Sequence, residues 1–307
     1  MEPTIIFEDD YILVLDKPAG MIVNVSDTTA GERTIQEWVE EYLQILNPKF
    51  QILNKSKIQN SNVKNVPPSP TPSPSRGEGR GEGEVSNLEF LNRAGIVHRL
   101  DKETSGILVV AKTPKAFENL QKQFKERQVK KTYIALVHGK VEPNEGEINV
   151  PVGRLPWNRK RFGVVSGGRE AVTRYRVLRI KLYKRHSGKP RLAGRIQNLP
   201  RERVAAARDS GQARMTGKEE SLSLLELYPQ TGRTHQIRVH LKYFNHPLFS
   251  DSLYGGRKTA RNDRKLLSRI FLHASKISFY HPNNGQIVSF ESPLPEELNQ
   301  FLKTFNS

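Results

Sequence analysis

The chain has 307 residues, no cysteine and a formal net charge of +17. The absence of cysteine excludes disulfides, thiolate catalysis and cysteine-ligated metal, and no apolar run approaches the ~18 residues of a membrane span. So basic a balance points to a polyanionic partner, because Lys and Arg that neutralise phosphates release counterions.

Hydrophobic residues make up 36% of the chain. Much of the deficit lies in two polar stretches, so the length suits one large α/β or α+β domain with insertions. Nucleic acid is the expected partner. A membrane surface would require a basic amphipathic helix, and no convincing one is present. Met1-Glu2-Pro3-Thr4-Ile5 lacks a basic region followed by an apolar one, so it is not read as a signal peptide and the expected location is cytoplasmic.

Residues 5–7 and 11–15 read as strands joined by a turn at Glu8-Asp9-Asp10. Asp16-Lys17-Pro18-Ala19-Gly20 then breaks the pattern. Thr34-Ile35-Gln36-Glu37 is a capping box, and Ile35, Trp38, Val39, Tyr42, Leu43 and Leu46 continue it as a helical stripe with Trp38 in the core. Residues 51–87 are Asn/Lys/Ser-rich, then Pro-rich, then Gly/Glu-rich. Such composition buries little apolar area and reads as a disordered insertion in a loop; the alternative is a Pro-rich ligand for a partner domain.

Gly95 to Gly106 places His98, Arg99 and Asp101 between two apolar runs. Residues 107–111 are β-rich and bounded by Gly106 and Pro114, so they read as a buried strand. Asp101 then sits in a loop anchored in the core, where a rigid scaffold presents reactive groups. An Asx-turn or a helix cap is the plainer reading of the same residue.

Thr113-Pro114 opens a helix with Ala116, Phe117, Leu120 and Phe124 on its apolar face, ending near Arg127. Residues 130–139 are a strand with a basic entry. Residues 151–165 surround Trp157 with Arg154, Arg159, Lys160 and Arg161, which suits a surface that tracks a nucleic-acid backbone or a solvated loop. Residues 171–178 alternate as a strand. Residues 181–220 carry eleven Lys/Arg against four Asp/Glu and read as a second irregular stretch, either disordered or an RNA-binding arm that orders on contact. A strand at 221–227 leads to a helix capped by Thr234, with Ile237, Leu241 and Phe244 on one face and His235 and Arg238 reaching towards the sheet. Strands at 271–274, 276–280 and 287–290 and a helix at 295–305 complete the chain. His235 and His240 are five apart, not the i, i+4 spacing that puts two imidazoles on one helical face, so no metal is expected.

His98-Arg99-Leu100-Asp101 with Ser105-Gly106, then Lys131-Thr132-Tyr133-Ile134-Ala135-Leu136-Val137, then Gly232-Arg233-Thr234-His235-Gln236-Ile237-Arg238-Val239-His240, then Leu272-His273-Ala274, resemble in this order the motifs of the RluA-type family of RNA pseudouridine synthases. Asp16 to Gly20 and Asp251-Ser252-Leu253-Tyr254-Gly255 are further family-like pieces. The resemblance implies an α+β fold with a mixed, mostly antiparallel sheet and a central cleft. It implies a cofactor-free isomerisation of uridine to pseudouridine in structured RNA, large-subunit rRNA first and tRNA second. Carried over, Asp101 is the nucleophile, Tyr133 the general base or ring-stacking group, Arg238 the partner of Asp101 and Leu272 the apolar wall beneath the base. Arg99 fills the gap left by the flipped nucleotide, and His98, Arg233 and His235 join the RNA-binding set. The whole of residues 1–307 is then expected to be one catalytic domain, monomeric, without the small N-terminal RNA-binding domain that many family members carry. A non-catalytic RNA-binding or ribosome-assembly protein on the same fold is the alternative, and the Asp101, Tyr133 and Arg238 set argues for the enzyme.

Overall fold

The computed structural model describes residues 2–25, 31–46, 82–184 and 219–304. Strands β1 (Thr4–Glu8) and β2 (Ile12–Lys17) form the expected hairpin. Its turn is fixed by Asp9, whose Oδ1 accepts the backbone N–H groups of Tyr11 and Ile12. Helix α1 (Ile35–Leu46) opens on the expected capping box: Glu37 N–H donates to Thr34 Oγ1 and the Glu37 carboxylate takes the Thr34 N–H. Ile35, Val39 and Leu43 are buried, and half-buried Trp38 packs on the core stacked against Tyr42.

Helix α2 (Glu82–Asn92) starts inside the stretch read as an irregular insertion, so that reading ends too late. Phe90 and Leu91 anchor the helix in the core, and apolar anchors at one end suffice to extend regular structure into a weakly patterned segment. Residues 51–81 lie outside the described residues. Strand β3 (Ser105–Ala111) is buried at all seven positions. Helix α3 (Pro114–Lys125) is capped by Thr113, whose Oγ1 accepts the Ala116 N–H.

The rest of the sheet comes from β4 (Lys130–His138), β5 (Glu145–Asn149), β8 (Val172–Lys184), β9 (Glu219–Pro229), β10 (Leu272–Tyr280) and β11 (Ile287–Glu291). Strands β6 (Val152–Leu155) and β7 (Asn158–Val164) form a separate two-stranded sheet, so the basic stretch around Trp157 is a hairpin rather than a loop. Strands β8 and β9 pair from Thr173↔Pro229 out to Lys184↔Glu219, which takes both ends of the second irregular stretch into a ladder. Residues 185–218 lie outside the described residues. The strands expected separately at 271–274 and 276–280 are one strand with a register shift between Ala274 and Lys276. Helices α4 (Gln236–Tyr243), α5 (Arg257–Asp263) and α6 (Glu296–Lys303) complete the set.

The main sheet runs β1-β2-β3-β10-β4-β9-β8-β5, with β11 on β10. Its described pairings are antiparallel except β3 with β10. The α+β class and the mostly antiparallel sheet are therefore as expected. Strand β10 lies between β3 and β4, so Gly106, Ala274 and Tyr133 are neighbours across three strands. This register brings the loop before β3 beside the middle of β4.

Gly106 is required there. Its φ is +111°, and a Cβ would lie 2.2 Å from the carbonyl oxygen of Ala274. We predict that Gly106→Ala destabilises the fold by about 3 kcal/mol, from backbone strain together with a clash that forces β3 from β10. Urea unfolding measures it, and an unchanged midpoint would contradict the register.

Candidate active site

The loop entering β3 is fastened at nearly every step. Thr104 N–H donates to the carbonyl of Asp101. The carbonyl of Lys102 accepts from Gly20 N–H at 2.7 Å and from Lys17 Nζ at 3.1 Å. Lys17 is fully buried and also donates to the carbonyls of Pro18 and Met21. Burial pulls its pKa down to about 7, while the three carbonyls use every N–H of the ammonium form. Glu103 accepts from Arg264 at 2.6 Å. Ser105 Oγ accepts from buried Arg269 at 2.8 Å and lies 2.9 Å from His273 Nδ1, whose Nε2 meets the carbonyl of Ser292. Three cations from distant parts of the chain thus hold residues 102, 103 and 105.

Arg238 reaches Asp101 from the first turn of α4. Its terminal nitrogen donates to Asp101 Oδ2 at 3.2 Å. Its other face makes a bidentate pair with Asp251, at 2.8 and 2.9 Å. Asp251 is fully buried and also accepts the N–H groups of Leu253 and Tyr254. Burial opposes the charge of Arg238, but the two carboxylates outweigh it and its pKa is raised. Burial likewise opposes the charge of Asp251, and Arg238 with the two N–H groups leaves its pKa lowered. The Tyr254 ring lies against the guanidinium, 5.1 Å from its carbon.

Thr234 does not cap α4. The cap is His235, in the left-handed region at φ 55° with no side-chain cap bond. The approach is organised instead by Gln236, whose Oε1 accepts from Thr231 Oγ1 and the Arg233 N–H, and whose Nε2 donates to Val172 and Thr173. A buried amide with all its partners outcompetes a half-buried hydroxyl cap. His235 is turned towards the cleft. Tyr254 accepts the Phe162 N–H at its hydroxyl oxygen, and the same hydroxyl lies 2.9 Å from His235 Nδ1. On the other side of the ring, Nε2 faces Asp101 Oδ2 at 3.9 Å. Burial lowers the pKa of His235, against the pull of Asp101.

Both contacts to Asp101 fall on Oδ2, and Oδ1 has no protein partner among the described residues. Tyr133 lines the same cleft from β4, and its hydroxyl has no hydrogen bond among the described residues. Burial raises its pKa, and the negative Asp101 adds to that. Leu272 forms a buried part of the wall. Arg99 is exposed on the rim. Arg233 donates to the carbonyl of Glu170. His98 faces inward: its Nε2 accepts the Val109 N–H at 3.0 Å and its ring stacks on Phe124. Burial, with Lys131 nearby, pushes its pKa down to about 3, so it is a neutral structural ring.

All eight expected residues, His98, Arg99, Asp101, Tyr133, Arg233, His235, Arg238 and Leu272, line one cleft of about 560 Å³. Asp251, Tyr254 and Lys17 were not among them. The available signals were an acid in a turn-rich loop ahead of Tyr254-Gly255, and a lysine beside Asp16 at the end of an apolar strand. Among the described residues no group of His, Asp and Glu is placed to hold a metal ion, and no helix is long and apolar enough to cross a membrane.

Residues 11–243 match the family model described as RNA pseudouridylate synthase, and the chain belongs to that family. It is 32% identical over 306 residues to ribosomal large subunit pseudouridine synthase D of Nitrosomonas europaea, covering 99% of this chain and 65% of that protein. It is 34% identical over 305 residues to the protein of the same name from Neisseria meningitidis serogroup B, covering 97% and 60%. The chain thus spans less than two thirds of the length of these relatives. The fold is similar to that of human RNA pseudouridylate synthase domain containing 1, with a TM-score of 0.55 and 21% identity, covering 100% of this chain and 95% of that one.

Proposed function

We propose that the chain isomerises specific uridines to pseudouridine in structured RNA, with large-subunit ribosomal RNA the first candidate and transfer RNA the second. The observation that carries the reading is a carboxylate, Asp101, held on one oxygen by Arg238 and open on the other, in a cleft shared with Tyr133 and Leu272. A nucleophilic carboxylate must stay ionised and oriented, and a guanidinium beside it serves both needs.

In this reading the uridine leaves its stack and enters the cleft, with Arg99 in the gap it leaves. Asp101 bonds to the uridine, the C1′–N1 bond breaks, the uracil turns, C5 bonds to C1′ and the bond to Asp101 breaks. The C5 proton is lost and N1 gains one, so the reaction is a net isomerisation that consumes nothing. Tyr133, with its raised pKa, is a neutral phenol at pH 7. That favours a ring that packs the base against Leu272 over a standing general base. We take the enzyme to act as a cytoplasmic monomer.

Release of tritium from RNA labelled at uridine C5 tests the reading. The expected result is release from bulk ribosomal RNA, more than from transfer RNA. No release from either, with RNA binding intact, would sink it.

A further inference from the structure

Lys131 stands two residues before Tyr133 on β4, so the two side chains leave the same face of the strand, one step of ~7 Å apart. Both line the cleft. The other cations there are mostly engaged. Arg238 holds two carboxylates, Arg127 pairs with Glu170 at 3.0 Å, and Arg233 donates to the Glu170 carbonyl. Lys131 has no carboxylate within ion-pair distance among the described residues. Its Nζ has one long hydrogen bond, 3.4 Å to the carbonyl of Thr231, and lies 6.0 Å from the Phe124 ring centre. Its other close neighbour, His98, is neutral. An ammonium brought into a partly apolar wall without an anion is costly, and burial pulls its pKa down to about 8. What the wall lacks is a negative group at Nζ.

We propose that Lys131 is a phosphate-binding residue that takes a backbone phosphate of the uridine whose base lies against Tyr133 and Leu272. This rests on the function proposed above. The strand step from Tyr133 to Lys131 matches the step from a base to its own backbone. An ammonium is a compact charge suited to one phosphate oxygen, whereas the Arg127 and Arg238 guanidiniums in the cleft are already paired with carboxylates. The contact fixes the register of the extruded nucleotide over Asp101, so its loss acts on binding and positioning rather than on the nucleophile.

The test compares wild type with Lys131→Gln and Lys131→Arg. The salt dependence of affinity is measured on bulk ribosomal RNA. The wild-type slope of log affinity against log salt should fall by about one phosphate's share, ~0.7–1, in Lys131→Gln and be kept in Lys131→Arg. A fragment of ribosomal RNA that wild type modifies is then made with one neutral methylphosphonate on either side of the target uridine. One of the two should weaken wild-type binding by about ten- to a hundredfold and should weaken Lys131→Gln no further. The KM should rise in Lys131→Gln with kcat changed much less. Equal losses in wild type and variant at both positions would overturn the proposal. So would a loss without change in salt slope, which would put Lys131 on a uracil carbonyl or in the fold alone. Absence of tritium release by wild type would sink the function instead, and the salt slopes would still decide the role of Lys131.

Discussion

Asp101→Asn is expected to abolish tritium release, by at least about 10⁴-fold, the scale seen when a nucleophile is removed, while the protein stays folded and binds RNA as well as wild type. The amide keeps the shape of the carboxylate and can still accept from Arg238. It cannot attack uridine. The fold survives because Arg238 does not depend on Asp101 for its charge partner: Asp251 holds it in a bidentate pair. The side chain of Asp101 is 18% exposed while that of Asp251 is 0%, so removing one charge at 101 leaves no buried cation without an anion. Affinity should hold or rise slightly, because a negative charge is lost from a cleft lined by several basic side chains. Urea unfolding, a filter-binding isotherm and the tritium assay together check this. Residual release above about a hundredth of wild type would remove Asp101 from the nucleophile role.

The site was legible where its chemistry is concentrated in short strings. His98 to Asp101, Tyr133, His235 to Arg238 and Leu272 each sit at the edge of an apolar run, and the apolar run is what places them. The strands were legible for the same reason, as β3 shows: an unbroken β-rich run bounded by glycine and proline is buried at every position. What the sequence did not disclose are partnerships made by topology. Lys17 reaches Lys102 across 85 positions and Arg269 reaches Ser105 across 164. No local pattern marks either: the first depends on β2 pairing with β3 and the second on β10 lying beside β3. The start of α4 follows the same rule. Thr234 is a good local cap, but Gln236 takes its partners from β8 and from Thr231, and those long-range bonds set the turn. Composition misled at the margins of the two polar stretches, where Phe90 anchors α2 and the β8–β9 ladder continues past residue 181.

Arg238→Met should cost stability as well as activity, and the two losses can be separated. The substitution removes the partner of Asp251, a carboxylate with no exposure that then retains only two backbone N–H donors. Leaving one member of a buried pair costs about 3–5 kcal/mol. The pH dependence should change sign. In wild type the pKa of Asp251 is lowered, so the unfolded chain binds the proton more readily. The stability from this group is present above the unfolded value of about 3.9 and is lost as pH falls through the folded one. Without Arg238, burial is opposed only by the Leu253 and Tyr254 N–H groups and is expected to raise the folded pKa, so the native state binds the proton more readily. The variant's stability then falls as pH rises through that window. Its deficit relative to wild type should be smaller at pH 4 than at pH 7 in urea unfolding. Asp251→Asn in the Arg238→Met background removes the buried charge and keeps an oxygen for the Leu253 and Tyr254 N–H groups. It should recover most of the stability. It should not recover tritium release, because Asp101 still lacks the cation that orients it. Recovery of both would make Arg238 a structural residue only, and would leave His235 Nε2, 3.9 Å away, as the group that aims the carboxylate.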